Sequence, residues 1–180
     1  MRVCVTGGGV AGSASAIALR RLGAEVTVYE AYEDPAGPVG SFVSLAANGL
    51  RCLELLGCLE PVTRAGFPVP RQRMWSGSGK LLGDVARGRL AEDPRPSVTV
   101  RRADLVAALR SEAVRSGARI VTGRRVTEPQ AGADLVVGAD GIWSSTRALV
   151  DPAAPRPRYA GMYTVSAPPP GSICRPARST

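Results

Sequence analysis

Arg2-Val-Cys-Val-Thr6, running straight into Gly7-Gly-Gly9-Val10-Ala11-Gly12, decides how this chain begins. The first five residues form a short apolar run with β-branched side chains, the pattern of a buried strand. Glycines break it at once. Val10–Leu22, rich in Ala, Ile and Leu, then reads as a helix closed by Gly23. Glu25–Glu30, EVTVYE, alternates and reads as a second strand. Strand, glycine turn, helix and strand make a βαβ unit, so the expected fold class is α/β, a Rossmann-like domain with a parallel sheet.

Gly7–Gly12 fits G-x-G-x-x-G, and each position carries a physical demand. Gly7 lets the chain turn sharply off the strand. Gly9 has no side chain, so a pyrophosphate can approach the backbone. Gly12 lets helix and strand pack closely. Val10 and Ala11 open the helix, whose N-terminal N–H groups and partial positive charge favour an anion. Glu30 stands 18 residues after Gly12, at the end of the second strand. A carboxylate there accepts both ribose hydroxyls of an adenine nucleotide and repels a 2′-phosphate. The cofactor expected at this turn is therefore FAD or NAD rather than NADP. A short-chain dehydrogenase site does not fit, because the Tyr-x-x-x-Lys pair is missing: Lys80 has Ser76 four residues before it.

Composition narrows the chemistry further. The 180 residues suffice for one domain or slightly more, and 44% are hydrophobic and 21% charged, as in ordinary globular chains. Histidine is absent, which excludes Ser-His-Asp and Cys-His catalysis and every histidine-ligated metal. Cys4, Cys52, Cys58 and Cys174 show no Cys-x-x-Cys spacing and read as reduced, buried thiols of a cytoplasmic protein. The net charge of +8 comes almost wholly from arginine, Lys80 being the single lysine, and reads first as compositional bias. Such charge also attracts phosphate-bearing ligands. Aromatics are only 4% and are not interleaved with basic residues, so nucleic acid is not an expected partner. No apolar run approaches the roughly 20 residues of a membrane span, and Met1–Thr6 does not read as a secretory signal.

Downstream, Glu33–Gly40 reads as a loop, and Ala46–Leu56 as a helix. Gln72–Ser76 and Leu81–Val85 flank Gly77-Ser-Gly79 as a hairpin. Ala91–Pro96 reads as a loop, Ser97–Arg101 as a strand and Asp104–Ser116 as a helix. Arg119–Thr122 and Arg124–Thr127 read as short strands, Asp134–Ala139 as a buried strand and Ser144–Val150 as a helix start. After Asp151 prolines crowd the sequence, and Ser166–Thr180 reads as a disordered tail. There is no internal repeat.

Asp134-Leu-Val-Val-Gly-Ala-Asp140-Gly141-Ile-Trp-Ser144-Ser-Thr-Arg147 delivers Asp140 to the carboxyl end of a strand, where ligands sit in parallel sheets. Strand-Asp-Gly is also a common turn. The segment resembles the Asp-Gly fingerprint of the FAD-dependent aromatic hydroxylases, the single-component flavoprotein monooxygenases of the p-hydroxybenzoate hydroxylase type. Three more stretches are similar to that family: Gly7–Gly12 with Glu30, Gly40–Gly57, and Arg102-Ala-Asp-Leu105-Val-Ala-Ala-Leu109. The resemblance implies that Gly7, Gly9, Val10, Ala11 and Gly12 cradle the FAD pyrophosphate and that Glu30 holds the adenosine ribose. It places Arg102 near the phosphates or ribityl chain, and Asp140 and Gly141 against FAD and in the neighbourhood of the reducing NAD(P)H. Arg102 also reads as a solvated helix-start arginine, and Asn48, in the stretch that passes beside the flavin, as a helix N-cap.

The family's third motif, Gly-Asp followed by Ala-His and Pro, has no counterpart here. The expected organisation is an FAD-binding domain over 1–150, with a small β insertion at about 70–100, and a Pro/Arg-rich irregular tail over 151–180. The implied function is NAD(P)H- and O₂-dependent hydroxylation or epoxidation of an aromatic or polyketide-like small molecule. The alternative is a truncated or split, non-catalytic FAD- or nucleotide-binding module, completed by a second copy or a complementing chain. No catalytic acid, base or metal site is identifiable.

Overall fold

The computed structural model describes residues 1–33, 42–86, 95–128 and 132–161. The loops expected at Glu33–Gly40 and Ala91–Pro96 lie almost wholly outside these residues, and the tail expected at Ser166–Thr180 lies wholly outside them. Two compact units form: Met1–Val39 with Leu105–Val165, and Gly40–Asp104 with Ser166–Thr180.

The first unit is built on β1 (Arg2–Thr6), α1 (Val10–Arg21) and β2 (Glu25–Tyr29). Val3, Cys4, Val5 and Thr6 are all buried, so both faces of β1 are covered. That explains a run apolar throughout rather than alternating. α1 lays Gly12, Ser13, Ala16 and Ile17 into the core, and its last turn carries Arg20 and Arg21, cations suited to a helix C-terminus. With β8 (Arg119–Val121) and β9 (Leu135–Gly138), these strands make a parallel sheet in the order β8-β2-β1-β9. The chain runs outward from β1 to β8 and then returns to β9 on the other side of β1. The strand order thus reverses between β1 and β9, and such a switch point opens a crevice at the carboxyl ends of the strands. The last helix, α5 (Ser145–Val150), follows β9. Gly138 leaves room for it, since a Cβ there would lie 2.8 Å from the Thr146 side chain.

The second unit contains β3 (Phe42–Leu45), α2 (Ala47–Leu55), α3 (Leu59–Ala65), β4 (Phe67–Val69), β5 (Arg71–Trp75), β6 (Leu81–Ala86) and β7 (Ser97–Arg101). β7 pairs antiparallel with both β3 and β4, and β5 with β6 forms the expected hairpin. Strands outside the parallel sheet thus run from Phe42 to Arg101, a wider span than the insertion expected at about 70–100. The helix α4 (Arg102–Arg115) starts directly off β7, and from Leu105 onward it belongs to the first unit. There Glu112 is buried and paired with Arg115, while Arg21 of α1 approaches it. The Arg115 hydrogen bonds hold the Glu112 carboxyl below its ordinary range against the opposing effect of burial.

Three local expectations are corrected. β9 forms as a strand but is not buried: it stands at the end of the strand order, with Leu135 exposed and Val136 and Val137 half-buried. Arg124–Thr127 is not a strand: Gly123, at φ +68, turns the chain off the end of β8. Cys52 is exposed rather than buried; Cys4 and Cys58 are buried and form no disulfide, and Cys174 lies outside the described residues. Residues 151–161 contain no helix or strand, and no described helix is long and apolar enough to cross a membrane.

Candidate functional site

The turn after β1 is shaped by what its glycines allow to come close. Gly7 has φ +96, and its N–H donates to the Tyr29 carbonyl at 2.7 Å, carrying the β1–β2 ladder one step into the turn. A Cβ on Gly7 would lie 2.3 Å from the Ala139 carbonyl oxygen, at the end of β9. A Cβ on Gly12 would lie 1.8 Å from the Gly7 carbonyl oxygen and 3.3 Å from the Ala139 Cβ. Gly7 and Gly12 thus seat the turn and the first turn of α1 against the strand that delivers Asp140.

Gly9 is different. It is the N-cap of α1, with φ −77 and ψ −160, a backbone conformation open to any residue. What glycine supplies here is the absence of a side chain over the helix N-terminus. No side-chain cap is formed, the first turn has no acidic residue, and Val10 and Ala11 are exposed. The first N–H groups of a helix have no intrahelical acceptor. This one therefore presents donors and a partial positive charge to an external anion. A bare cradle of this kind fits a diphosphate.

Glu30, just past β2, is buried. One carboxylate oxygen accepts from the Gly8 N–H at 2.7 Å and the other from the Tyr32 N–H at 3.0 Å. Each oxygen keeps a further lone-pair direction, so the clamp is compatible with accepting from ribose hydroxyls. Its backbone is fixed on both sides, donating to the Val121 carbonyl and accepting from the Arg124 N–H. The Arg124 guanidinium lies over the Tyr29 ring, 5.0 Å from its centroid.

Asp140 sits where expected, at the end of β9, but its carboxylate turns inward. It accepts from Ser144 Oγ at 2.6 Å, from the Ser145 N–H at 2.8 Å and Oγ at 3.1 Å, and from the Thr146 N–H at 3.1 Å. Ser144 caps α5 by accepting from the Arg147 N–H at 2.9 Å. Burial pushes the Asp140 carboxyl up, yet these hydrogen bonds together hold it below its ordinary range. The side chain thus anchors the start of α5, and the neighbouring backbone remains for a ligand. Gly141, at φ +79 and exposed, has nothing within 4 Å of where a Cβ would stand.

Among the candidate residues, Arg102 alone belongs to the second unit, exposed at the first position of α4. Asn48 does not cap α2; Ala46 holds that position, and Asn48 Oδ1 accepts from the Gly49 N–H. No group of metal-ligating side chains occurs among the described residues. The sequence reading missed Thr6 and Thr146, whose hydroxyls meet at 3.0 Å behind the turn. The available signal was a hydroxyl at the last position of an otherwise aliphatic buried strand.

Residues 5–53 match the model of the NAD(P)-binding Rossmann-like domain. Kynurenine 3-monooxygenase of Salinispora arenicola is 33% identical over 177 residues, covering 81% of this chain and 37% of that enzyme. The chain belongs to the FAD-dependent aromatic hydroxylases. Within that family, the FAD-dependent urate hydroxylase of Mycolicibacterium vanbaalenii is 31% identical over 179 residues, covering 89% of this chain and 45% of the relative. The solved tetrameric form of 2-methyl-3-hydroxypyridine-5-carboxylic acid oxygenase superposes with TM-score 0.71 at 29% identity, covering 80% of this chain and 40% of that one. Klebsiella pneumoniae HpxO, complexed with FAD and uric acid, gives TM-score 0.73 at 28% identity over 89% of this chain and 44% of its own. The chain thus spans less than half the length of these relatives.

Proposed function

We propose that the chain binds FAD by its adenosine diphosphate half and serves NAD(P)H- and O₂-dependent hydroxylation or epoxidation of an aromatic or polyketide-like small molecule. One observation carries the reading. The uncapped N-terminus of α1, the bare Gly9 and the buried Glu30 carboxylate converge at the carboxyl edge of the parallel sheet, beside the switch point. Gly7, Gly9, Val10, Ala11 and Gly12 would receive the pyrophosphate, and Glu30 the ribose. The Gly141 backbone would lie along the cofactor, and Arg102 would add a cation for its phosphates. Bound FAD supplies the redox chemistry, accepting electrons from NAD(P)H and passing them to O₂. The chain's own residues hold and orient the cofactor. The FAD-dependent urate hydroxylase and the HpxO complex with FAD and uric acid support the cofactor and the kind of substrate.

A second reading is a nucleotide-binding module completed by a second copy or a complementing chain. It is favoured by exposed apolar side chains in the first unit: Ile142, Trp143, Leu149 and Val150. One experiment separates the two. The purified chain is loaded with FAD, and NADH and NADPH oxidation is followed with and without candidate phenols, with product analysis. Oxidation stimulated by a substrate, with a hydroxylated or epoxidised product, is the expected result. Retained FAD with unstimulated oxidation ending in peroxide selects the module. Failure to retain FAD at all overturns the first reading, and failure to bind ADP as well overturns both.

A further inference from the structure

We infer that Thr6 and Thr146 form a hydroxyl tether that holds the two nucleotide-facing turns, Gly7–Gly12 and Asp140–Gly141, in fixed relation. This rests on the FAD reading above. Thr6 is the last residue of β1 and is buried. Thr146 is the second residue of α5. Their Oγ1 atoms lie 3.0 Å apart. Thr146 Oγ1 is also 3.3 Å from Asp140 Oδ2, the oxygen that accepts from the Ser145 and Thr146 N–H groups.

Proton placement gives the chain of bonds a direction. The carboxylate only accepts, so Thr146 donates to Asp140 and is left to accept from Thr6. The other acceptor near Thr6 Oγ1, the Val137 carbonyl, stands farther off at 3.4 Å. Hydroxyl to hydroxyl to carboxylate is a polarised sequence, each bond strengthening the next. The two threonines line a cavity of about 200 Å³ with Val126, Thr127, Glu128, Val136, Leu149 and Val150.

The position of the tether gives it a consequence. Gly7 follows Thr6 directly, and Gly141 follows Asp140. The β1 end and the β9 end are already joined by their parallel ladder, which runs on into the bond from Ala139 N–H to the Thr6 carbonyl at 2.8 Å. The ladder fixes the strands, and the Asp140 carboxylate ties the start of α5 to the end of β9, but neither joins α5 to β1. The hydroxyl tether supplies that third link, from α5 to the last residue of β1. Thr6 and Thr146 are therefore positioning residues, acting on the cofactor through Asp140 and Gly141.

The test uses Thr6→Val and Thr146→Val, which keep the branched shape and delete the hydroxyl, beside Thr6→Ser and Thr146→Ser, which keep the hydroxyl. FAD affinity of the full chain is expected to fall about five- to twentyfold in each valine variant, the scale of one to two lost hydrogen bonds. It is expected to return to within about twofold in the serine variants, and the double valine variant is expected to match a single one, because the residues act as one unit. A second readout needs no cofactor. Amide exchange at Ser145 and Thr146 is expected to quicken about tenfold in Thr6→Val and to recover in Thr6→Ser. Unchanged exchange in Thr6→Val overturns the tether whether or not FAD binds. Native FAD affinity in both valine variants, or serine variants as weak as the valine ones, overturns its bearing on the cofactor. A parent chain that binds no FAD refutes the proposed function instead, and the exchange readout still decides the tether.

Discussion

Gly12→Ala is expected to destabilise the chain by about 3 kcal/mol or more. The sign runs against helix propensity, since alanine in place of a helical glycine ordinarily stabilises by about 0.5–1 kcal/mol. Here the new Cβ would stand 1.8 Å from the Gly7 carbonyl oxygen. That oxygen is backbone, and Gly7 is itself pinned by its bond to Tyr29 and its contact with Ala139. No rotamer change relieves the overlap, so α1 must move off β1. Against a total stability of about 5–15 kcal/mol, the loss lowers Tm by about 6–12 °C for a chain of this size. Thermal unfolding followed by circular dichroism checks it. A Tm equal to or above that of the parent would mean that helix and strand do not pack as closely as described. FAD retention is expected to fall with it, because the same shift withdraws the helix N-terminus from the pyrophosphate.

Glu30→Ala carries the second large effect, and it acts on fold and site together. The change removes both acceptors that hold the Gly8 and Tyr32 N–H groups. Gly8 is buried, and its N–H would be left without a partner, at a cost of about 1–3 kcal/mol. Adenosine binding is expected to weaken by a further 1.5–3 kcal/mol or so, roughly 10- to 100-fold, from the lost charge-assisted bonds to the ribose. Glu30→Gln separates the two roles. Its single carbonyl oxygen can keep the Gly8 bond while losing the second acceptor and the charge. Near-parental stability with clearly weaker FAD binding is expected for Gln, against loss of both for Ala. Equal FAD affinity in all three proteins, measured by equilibrium dialysis, would remove Glu30 from the site.

The first βαβ unit was legible because its signals are local. Arg2–Thr6 is β1 residue for residue, and the glycine turn, α1 and β2 follow within a residue at their ends. β3, β4 and α3 were not read, for reasons of length and partnership. Phe42–Leu45 and Phe67–Val69 are too short to show a period and become strands by pairing with β7, far along the chain. Leu59–Ala65 is a seven-residue helix with Pro61 in its first turn, which reads as a breaker until the helix start is located. The start of α4 was placed at Asp104, but that carboxylate forms two bonds with the Arg101 guanidinium instead of capping, and the helix begins at Arg102. At the site, residue types were readable and hydrogen-bond directions were not. Asp140 was recognised as an acceptor, but nothing in the spacing showed that Ser144, Ser145 and Thr146 would fill it.

The central claim is that the Gly7–Gly12 turn and Glu30 grip the adenosine diphosphate part of FAD. Equilibrium dialysis of the full chain against FAD, ADP and FMN tests it most directly, because FMN carries the flavin without the adenylate. FAD and ADP are expected to bind and to compete, with FMN excluded. Binding of FMN as tightly as FAD, or binding of neither FAD nor ADP, would contradict the assignment.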